Sequence, residues 1–591
     1  MDALTPMLRQ YKEIKAENPD AILMFRLGDF YEMFFDDAHR ASRALSLTLT
    51  ARGRGTPNEA PMCGVPFHAA EGYIARLIHR GFRVAICDQV EDPRAARGLV
   101  RRAVTRVLSP GTVTDPSQLA EREPNYIAAL CPASISGRPT APDRAGATEG
   151  VGCAYLDLST GDFRLAEHRG SRAIEGLTDQ IACFAPREIL CPEGTDLSAL
   201  LPGADLSGIL TGSAPGRVFA PTTAYRSLLQ QLGTASLEGF GCEGRDLAIG
   251  AAGALLHHLR ETQKADLKHI TRIAWHEESE GMVLDATTRR TLEVAENARD
   301  GGREVTLLSV LDRTETAMGG RLLRDWILRP LLSVRAIEAR LDAVGFLLER
   351  PSERGALRAH LARVHDLERL LARCSLGTAN ARDLTALRES LGALPAVAAL
   401  GVAFTPEALA KLVAGLDVLG DLHDHLAAAL ADDPPATLRD GGLLRDGFNA
   451  EIDDLRAVRL DGRAYLASIE TRERARTGIN SLKVRYNKVF GYYLEVSHAN
   501  RDLVPSDYER KQTLVGAERY VTPELKEHEA KVVTAQERLA ALEYDLFVAL
   551  RGEVAGAAAR LRRTAQALAS LDALASLAEA AATGGYSRPR V

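Results

Sequence analysis

Leu482-Lys483-Val484-Arg485-Tyr486-Asn487 and, just after it, Phe490-Gly491-Tyr492-Tyr493-Leu494-Glu495-Val496 decide how this chain folds. Apolar residues take every second position in both runs, so each reads as a strand with one face for a core and one for water. Asn487-Lys488 between them reads as a turn. The flanks make the pattern decisive. Ile452, Leu455, Tyr465, Leu466 and Ile469 recur at helical spacing over roughly seven turns. Val532, Leu539, Leu542, Leu546 and Leu550 mark a second long helix, and the spacing continues through Leu561, Leu568, Leu571 and Leu574. A small β element between two helices of that length is a helical arm tipped by a β-rich head.

Outward from the head, Ala- and Leu-rich helical spacing governs the chain after about residue 245. Leu255–Leu259, Arg290–Ala298, Leu307–Leu328, Ile337–Leu348, Leu357–Leu371, Ala381–Leu391, Pro406–Leu416 and Leu422–Leu430 read as helices. Before it, the short runs Ile22–Phe25, Val84–Cys87, Tyr126–Leu130, Cys153–Leu158 and Glu188–Leu190 read as strands. They alternate with helices at Tyr73–Arg80 and Ala173–Ala182, an α/β pattern. Ser109–Glu123 reads as a connector, and Pro132–Gly152 as a loop insertion. The expected architecture is multidomain: two N-terminal α/β domains at 1–112 and 118–245, then a mainly α-helical core and lever at 246–460 and 523–585, with a β-rich domain inserted at 461–522. A single core is excluded at 591 residues, because cores stop growing near about 250–300 residues.

The net charge of −6 rules out a uniformly basic nucleic-acid coat but leaves room for basic patches on an acidic whole. None of the eight cysteines stands in a CxxC pair, which argues against a disulfide framework or thiolate metal site and fits a reducing compartment. The polar, charged N-terminus is no signal peptide, and the apolar runs reach about half of a bilayer span. A cytoplasmic location without a membrane is expected.

Five constellations bear on function. Phe25, Phe30, Tyr31, Phe34 and Phe35 crowd aromatics into a chain that has 5% of them. If Phe30–Glu32 is extended, Phe30 and Glu32 share a face. An exposed Phe beside a carboxylate can wedge into a base step while the acid hydrogen-bonds a base edge; a buried strand with Phe30 in the core is the plainer reading. Arg94, Arg97, Arg101, Arg102 and Arg106 form an acid-free run that could track a phosphate backbone or could be a solvated face. Residues 472–488 hold Arg472, Arg474, Arg476, Lys483, Arg485 and Lys488 against Glu473, a basic tip suited to gripping a duplex without reading sequence. Gly239-Phe240-Gly241-Cys242-Glu243-Gly244 matches GxGxxG, but the preceding segment reads helical, against a dinucleotide site. Asp157 is a strand carboxylate, the kind two-metal nucleases cluster, yet no partners stand out. No Walker A loop, HExxH or nucleophile elbow occurs, so the motifs show no catalytic machinery.

Leu27-Gly28-Asp29-Phe30-Tyr31-Glu32 resembles the mismatch-binding signature of the bacterial MutS family of DNA mismatch-recognition ATPases. Thr5-Pro6-Met7, Met62–Ala69 and Ser109-Pro110-Gly111-Thr112 fit the same N-terminal domain; Met282–Leu292 and Leu307–Leu328 look like its core helices; Asn480–Tyr493 and Glu518–Lys526 look like its clamp and returning helix. The similarity runs in order along essentially the whole chain. It implies that Phe30 stacks on a mispaired base in a kinked duplex and that Glu32 hydrogen-bonds it. It implies backbone contacts from Arg52, Arg102, Arg106, Lys483, Asn487, Lys488, Arg510 and Lys511. Val515-Gly516, where some relatives carry polar or basic residues, weakens one such contact. Residues 115–245 resemble the RNase H-like connector, which in the family is no nuclease and contacts a MutL-type protein. The family is homodimeric, nucleoid-associated, and continues into an ABC-type ATPase domain that would begin near Tyr586–Val591. The resemblance therefore implies ATP and Mg²⁺ for the family, no cofactor or metal within these residues, and weakened dimerisation. The expected function is binding of mismatched or unpaired bases in double-stranded DNA; the alternatives are an RNase H-like nuclease using Asp157 and a helical scaffold with no DNA role.

Overall fold

The computed structural model describes residues 5–591 except 57, 92–98, 134–149, 205, 277–280, 283, 436, 440, 488–490 and 515. The chain divides into two compact units, one of residues 1–378, 389–419 and 554–591, the other of 379–388 and 420–553.

The first unit opens with a six-stranded sheet. In chain order its strands are β1 (Ala21–Leu27), β2 (Phe30–Phe34), β3 (Thr50–Arg52), β4 (Ala60–Pro66), β5 (Arg83–Gln89) and β6 (Arg102–Leu108), laid side by side as β3-β4-β2-β1-β5-β6. Only β1 and β5 run parallel; the other neighbours are antiparallel. Both faces are covered, so β1 is a continuous apolar run. One face buries Ile22, Met24, Tyr31, Met33, Cys63 and Val65 with the helices Phe35–Leu45 and Ala70–His79. The other buries Leu23, Phe25, Phe34 and Cys87 beneath Met7, Leu8 and Tyr11 of the helix Pro6–Glu17. Thr5 caps that helix and Pro6 takes its first turn, where a missing N–H costs nothing.

A second six-stranded sheet follows: β7 (Tyr126–Pro132), β8 (Gly150–Asp157), β9 (Asp162–Arg169), β10 (Glu188–Pro192), β11 (Leu210–Ala214) and β12 (Ala274–Trp275), ordered β11-β10-β7-β8-β9-β12. β7, β8 and β9 form an antiparallel meander, and β10, β11 and β12 join in parallel. The break expected at residue 245 does not coincide with a break in packing. The helix Asp246–Gln263 is apolar nearly all round and buries Leu247, Ile249, Leu255 and Leu259 against this sheet, and β12 is a strand of it. The glycines let them meet: a Cβ at Gly152 would stand 2.0 Å from the carbonyl carbon of Leu247. Gly152→Val is therefore expected to prise the helix from the sheet and cost at least about 3 kcal/mol, because backbone rather than a side chain must yield. Urea unfolding checks this; an unchanged midpoint would refute the close approach.

The core helices are shorter than the sequence suggested. Leu307–Leu328 is two helices, Leu307–Leu311 and Ala317–Leu328. The break has a cause: Asp312 accepts from Thr314, and Thr316 caps the second helix through the N–H of Gly319. Arg290–Ala298 is helical only to Thr291, after which Glu293 takes a φ of +47°. These helices and their successors pack on Ala558–Gly584, which is buried on nearly every side by alanine and leucine. The segment 119–124 is clipped down by arginines: Arg321 donates to the carbonyl of Glu121, Arg369 to those of Ala120 and Glu123, and Arg122 to that of Thr314.

In the second unit, the helix Ala450–Thr477 leads into a four-stranded antiparallel sheet, and the helix Pro523–Gly556 leaves it. The strands are β13 (Lys483–Asn487), β14 (Gly491–Ser497), β15 (Glu509–Thr513) and β16 (Ala517–Val521), ordered β13-β14-β16-β15. Leu482, Leu494, Val496 and Tyr520 bury against Ile469 and Leu525, one from each long helix. Lower down, Arg456 bonds Glu543 at 2.6 Å and Glu543 accepts from the N–H of Leu443. The expected arm with a β head is this unit.

Candidate nucleic-acid interface

β1 and β2 are joined by Gly28-Asp29, and Leu27 pairs with Phe30. Gly28 has a φ of +57°, which favours glycine at the first position of a two-residue hairpin turn. Strand alternation then puts Phe30, Glu32 and Phe34 on one face. Phe34 lies in edge contact with Tyr11 at 5.1 Å and is fully buried. Cover thins toward the hairpin: the Glu32 side chain is 16% exposed, and Phe30 is 46% exposed. The reading of Phe30 as a core residue is thus corrected; β2 is buried except where Phe30 emerges.

Glu32 faces Gly64 across the β2–β4 ladder, where a Cβ would stand 3.4 Å from its Cγ. Arg52, on β3, donates to Glu32 at 3.1 Å. Burial raises the Glu32 carboxyl above its ordinary range, and Arg52 pulls it back. Arg52→Ala removes the downward pull, so the Glu32 titration midpoint is expected to rise; carboxyl NMR across the acid range checks it, and a fall would contradict the pairing.

Sequence reasoning missed Phe67. It follows β4 beside the same turn, its N–H bonds the Asp29 carbonyl at 2.8 Å, and it is 47% exposed. The Arg26 guanidinium lies 3.4 Å from its ring centre, and the Tyr31 ring 5.6 Å away. The signal was present: Cys63 and Val65 are buried at alternate positions, and Phe67 is the next.

The basic run on β6 separates. A bulge at Thr105 shifts the β5–β6 register, so Ile86 faces Arg106 while Cys87 faces Val104. Arg102 turns to the face of the helix Pro6–Glu17. It is buried, donates to the Arg26 and Val100 carbonyls and to Gln10, and lies over Phe25 at 5.0 Å. Those bonds make it scaffolding for β1. Arg106 is half-buried on the opposite face near Glu71, Tyr31, Asp115 and Asp88, with burial lowering its pKa. Arg101 is exposed; Arg94 and Arg97 lie outside the described residues.

The basic count of 472–488 also reads differently in space. Arg474 pairs with Glu470 at 2.6 Å, Arg476 with Glu473 and Asp507 at 2.8 and 3.0 Å, and Arg472 with Glu524 at 2.6 Å. Acids from outside the run neutralise its first half. On the head itself Lys483 and Arg485 are exposed, Arg485 3.4 Å from Glu495, and Asn487 ends β13. Arg510 is exposed 3.8 Å from the buried Glu518, and Lys511 pairs with Glu509. Lys488 and Val515 lie outside the described residues. Gly491, at a φ of +72°, leaves room for Glu529 to accept from the N–H of Tyr492.

The other constellations take structural roles. Asp157 is fully buried and accepts from the Asn125 N–H at 2.9 Å and from the Ser159 N–H and hydroxyl at 2.8 and 2.7 Å. The GxGxxG stretch follows the helix Pro221–Leu232, not a strand, and begins inside the 3₁₀ turn Glu238–Phe240, so it does not fit a phosphate loop. Among the described residues no group of three or more His, Cys, Asp or Glu side chains is placed to hold a metal ion, and no helix is long and apolar enough to cross a membrane.

Known proteins match this arrangement. Family models described as MutS domain I, MutS domain II and MutS domain III match residues 5–117, 125–271 and 287–578. The DNA mismatch repair protein MutS of Symbiobacterium thermophilum is 50% identical over 589 residues, covering 99% of this chain and 66% of the relative. The proteins of the same name from Pelotomaculum thermopropionicum and Myxococcus xanthus are 49% and 47% identical, over 99% and 100% of this chain and 66% and 64% of theirs. The chain spans about two thirds of the length of these relatives. With three successive domain models and near-complete coverage at about half identity, the chain belongs to the MutS family.

Proposed function

We propose that this chain recognises mismatched or unpaired bases in double-stranded DNA and so initiates mismatch repair. The observation that carries this is the exposed Phe30 beside the half-buried Glu32 at the end of a strand that is otherwise core. An apolar ring held out by a rigid sheet can enter a base step, and a mispaired step costs less to unstack and kink than a paired one. Glu32 would hydrogen-bond the displaced base, with Arg52 releasing it or turning to phosphate. Backbone grip is assigned to Arg52, Arg106, Lys483, Asn487, Lys488, Arg510 and Lys511; Arg102 serves through its hold on Arg26.

The nuclease alternative is weaker because the Asp157 oxygens are already taken up by the N–H and hydroxyl of Ser159 in its own turn and by the N–H of Asn125. A MutL-type partner on the second sheet, pairing of two copies, ATP use by the longer relatives and a cytoplasmic, nucleoid-associated location belong to the same proposal. They rest on the family membership.

Fluorescence anisotropy with matched and mismatched duplexes of one length tests it. The mismatched duplex should bind more tightly at every salt concentration, with log K falling linearly against log salt for both, by about 0.9 for each phosphate neutralised. Equal and negligible binding to both at low salt would sink the proposal and favour a scaffold.

A further inference from the structure

The second sheet and the core helices enclose a cleft of about 360 Å³ that the DNA-reading proposal does not use. Arg164, Arg272, Arg321, Arg324 and Arg562 line it together with four carboxylates. The carboxylates are spoken for. Asp157 accepts from Ser159 of its own turn and from the N–H of Asn125. Asp162 accepts from Arg164 at 2.8 Å and from the Tyr126 hydroxyl at 2.6 Å; Asp325 accepts from Arg164 at 2.9 Å, and Glu368 from Arg321 at 2.8 Å. These bonds also occupy Arg164 and Arg321, and Arg324 pairs with Glu296 at 3.4 Å.

Arg562 is different. It projects from the helix Ala558–Gly584 to the β8–β9 turn, where a Cβ at Gly161 would lie 3.1 Å from its Nη1. It is 7% exposed, Nη1 donates to the carbonyl of His269 at 3.2 Å, and Nε has no partner among the described residues. Burial lowers its pKa, Asp162 and Glu368 oppose that, and Arg272 and Arg164 add repulsion. Asp162 and Glu368 spend their hydrogen bonds on Arg164, Tyr126 and Arg321, so this buried guanidinium, close to two others, keeps an unmade bond that an anion could take. We infer that this cleft binds a small oxyanion of the phosphate class, held by Arg562 with Arg272 and Arg324. The volume suits one or two phosphate groups. Planar guanidiniums are the side chains best matched to phosphate oxygens. Its donors come from the second sheet's side and from the core helices, so the anion would tie the two together.

Thermal unfolding of the full chain at fixed ionic strength tests this, with chloride, inorganic diphosphate and a nucleoside 5′-monophosphate as probes. Diphosphate is expected to raise Tm saturably where chloride does not. Arg272→Gln, an exposed position, should weaken the fitted Kd at least tenfold, and Arg562→Gln should abolish the effect. Saturation by diphosphate alone would identify free phosphate compounds as the source, and saturation by the monophosphate as well would extend it to esters. Shifts from diphosphate no larger than from chloride, or an Arg272→Gln variant that binds diphosphate like the parent, would overturn the site. Should Arg562→Gln fail to fold, Arg272→Gln alone decides.

Discussion

Phe30→Ala should erase the preference for a mismatched over a matched duplex while leaving the salt-dependent, non-specific binding to the matched duplex nearly unchanged. Stacking of an aromatic side chain on a base is worth about 1–3 kcal/mol, so mismatch affinity should fall roughly 5- to 150-fold toward the matched value. The fold should not notice. Phe30 is 46% exposed at the end of β2, so its loss should change stability by less than about 1 kcal/mol. Phe34, two residues on and fully buried, is the internal contrast: Phe34→Ala should cost about 3–5 kcal/mol. Competition anisotropy and urea unfolding of both variants separate the roles. An intact mismatch preference in a folded Phe30→Ala protein would refute the wedge.

A large loss of stability is also expected from Asp572→Ala. Asp572 sits, fully buried, on the helix Ala558–Gly584 and serves a loop more than 250 positions earlier. Its carboxylate accepts from the N–H of Glu315 at 3.0 Å and from the N–H and hydroxyl of Thr316, both at 2.7 Å. Burial raises its pKa, and the three donors oppose that. Alanine would strand donors away from water, at about 1–3 kcal/mol each, so a loss of at least about 3 kcal/mol should appear as a lower urea midpoint. Gly319→Ala should reach a similar result from the other side, because its Cβ would stand 2.2 Å from an Asp572 oxygen. A midpoint within experimental error of the parent for Asp572→Ala would show that water replaces the carboxylate.

The hairpin and its two long helices were legible because strand and helix periods differ and the switch between them is abrupt at Gly478 and again at Pro523. The pairing of Phe30 with Glu32 was legible for the same reason, since two residues apart on a strand means one face. What the sequence hid was contact between distant segments. Arg102 and Arg106 looked equivalent, and a one-residue bulge sends them to opposite faces. The arginines of 472–476 looked like free charge because Glu470, Asp507 and Glu524 lie outside the window that was counted. Leu307–Leu328 kept its apolar spacing through a break imposed by Asp312 and Thr316. The helix Asp246–Gln263 looked like the start of the helical half, yet Gly152, nearly a hundred residues earlier, is shaped to receive it.

The segment 119–124 occupies the place where a linker would usually give. Its carbonyls are gripped by Arg321 and Arg369, side chains rooted in separate core helices. Mechanically it should act as a weld, so that strain arising at the N-terminal sheet is expected to pass through it into the helical core. Cutting the chain at this point should leave the pieces bound together, and loosening it would take the loss of an arginine rather than a longer loop.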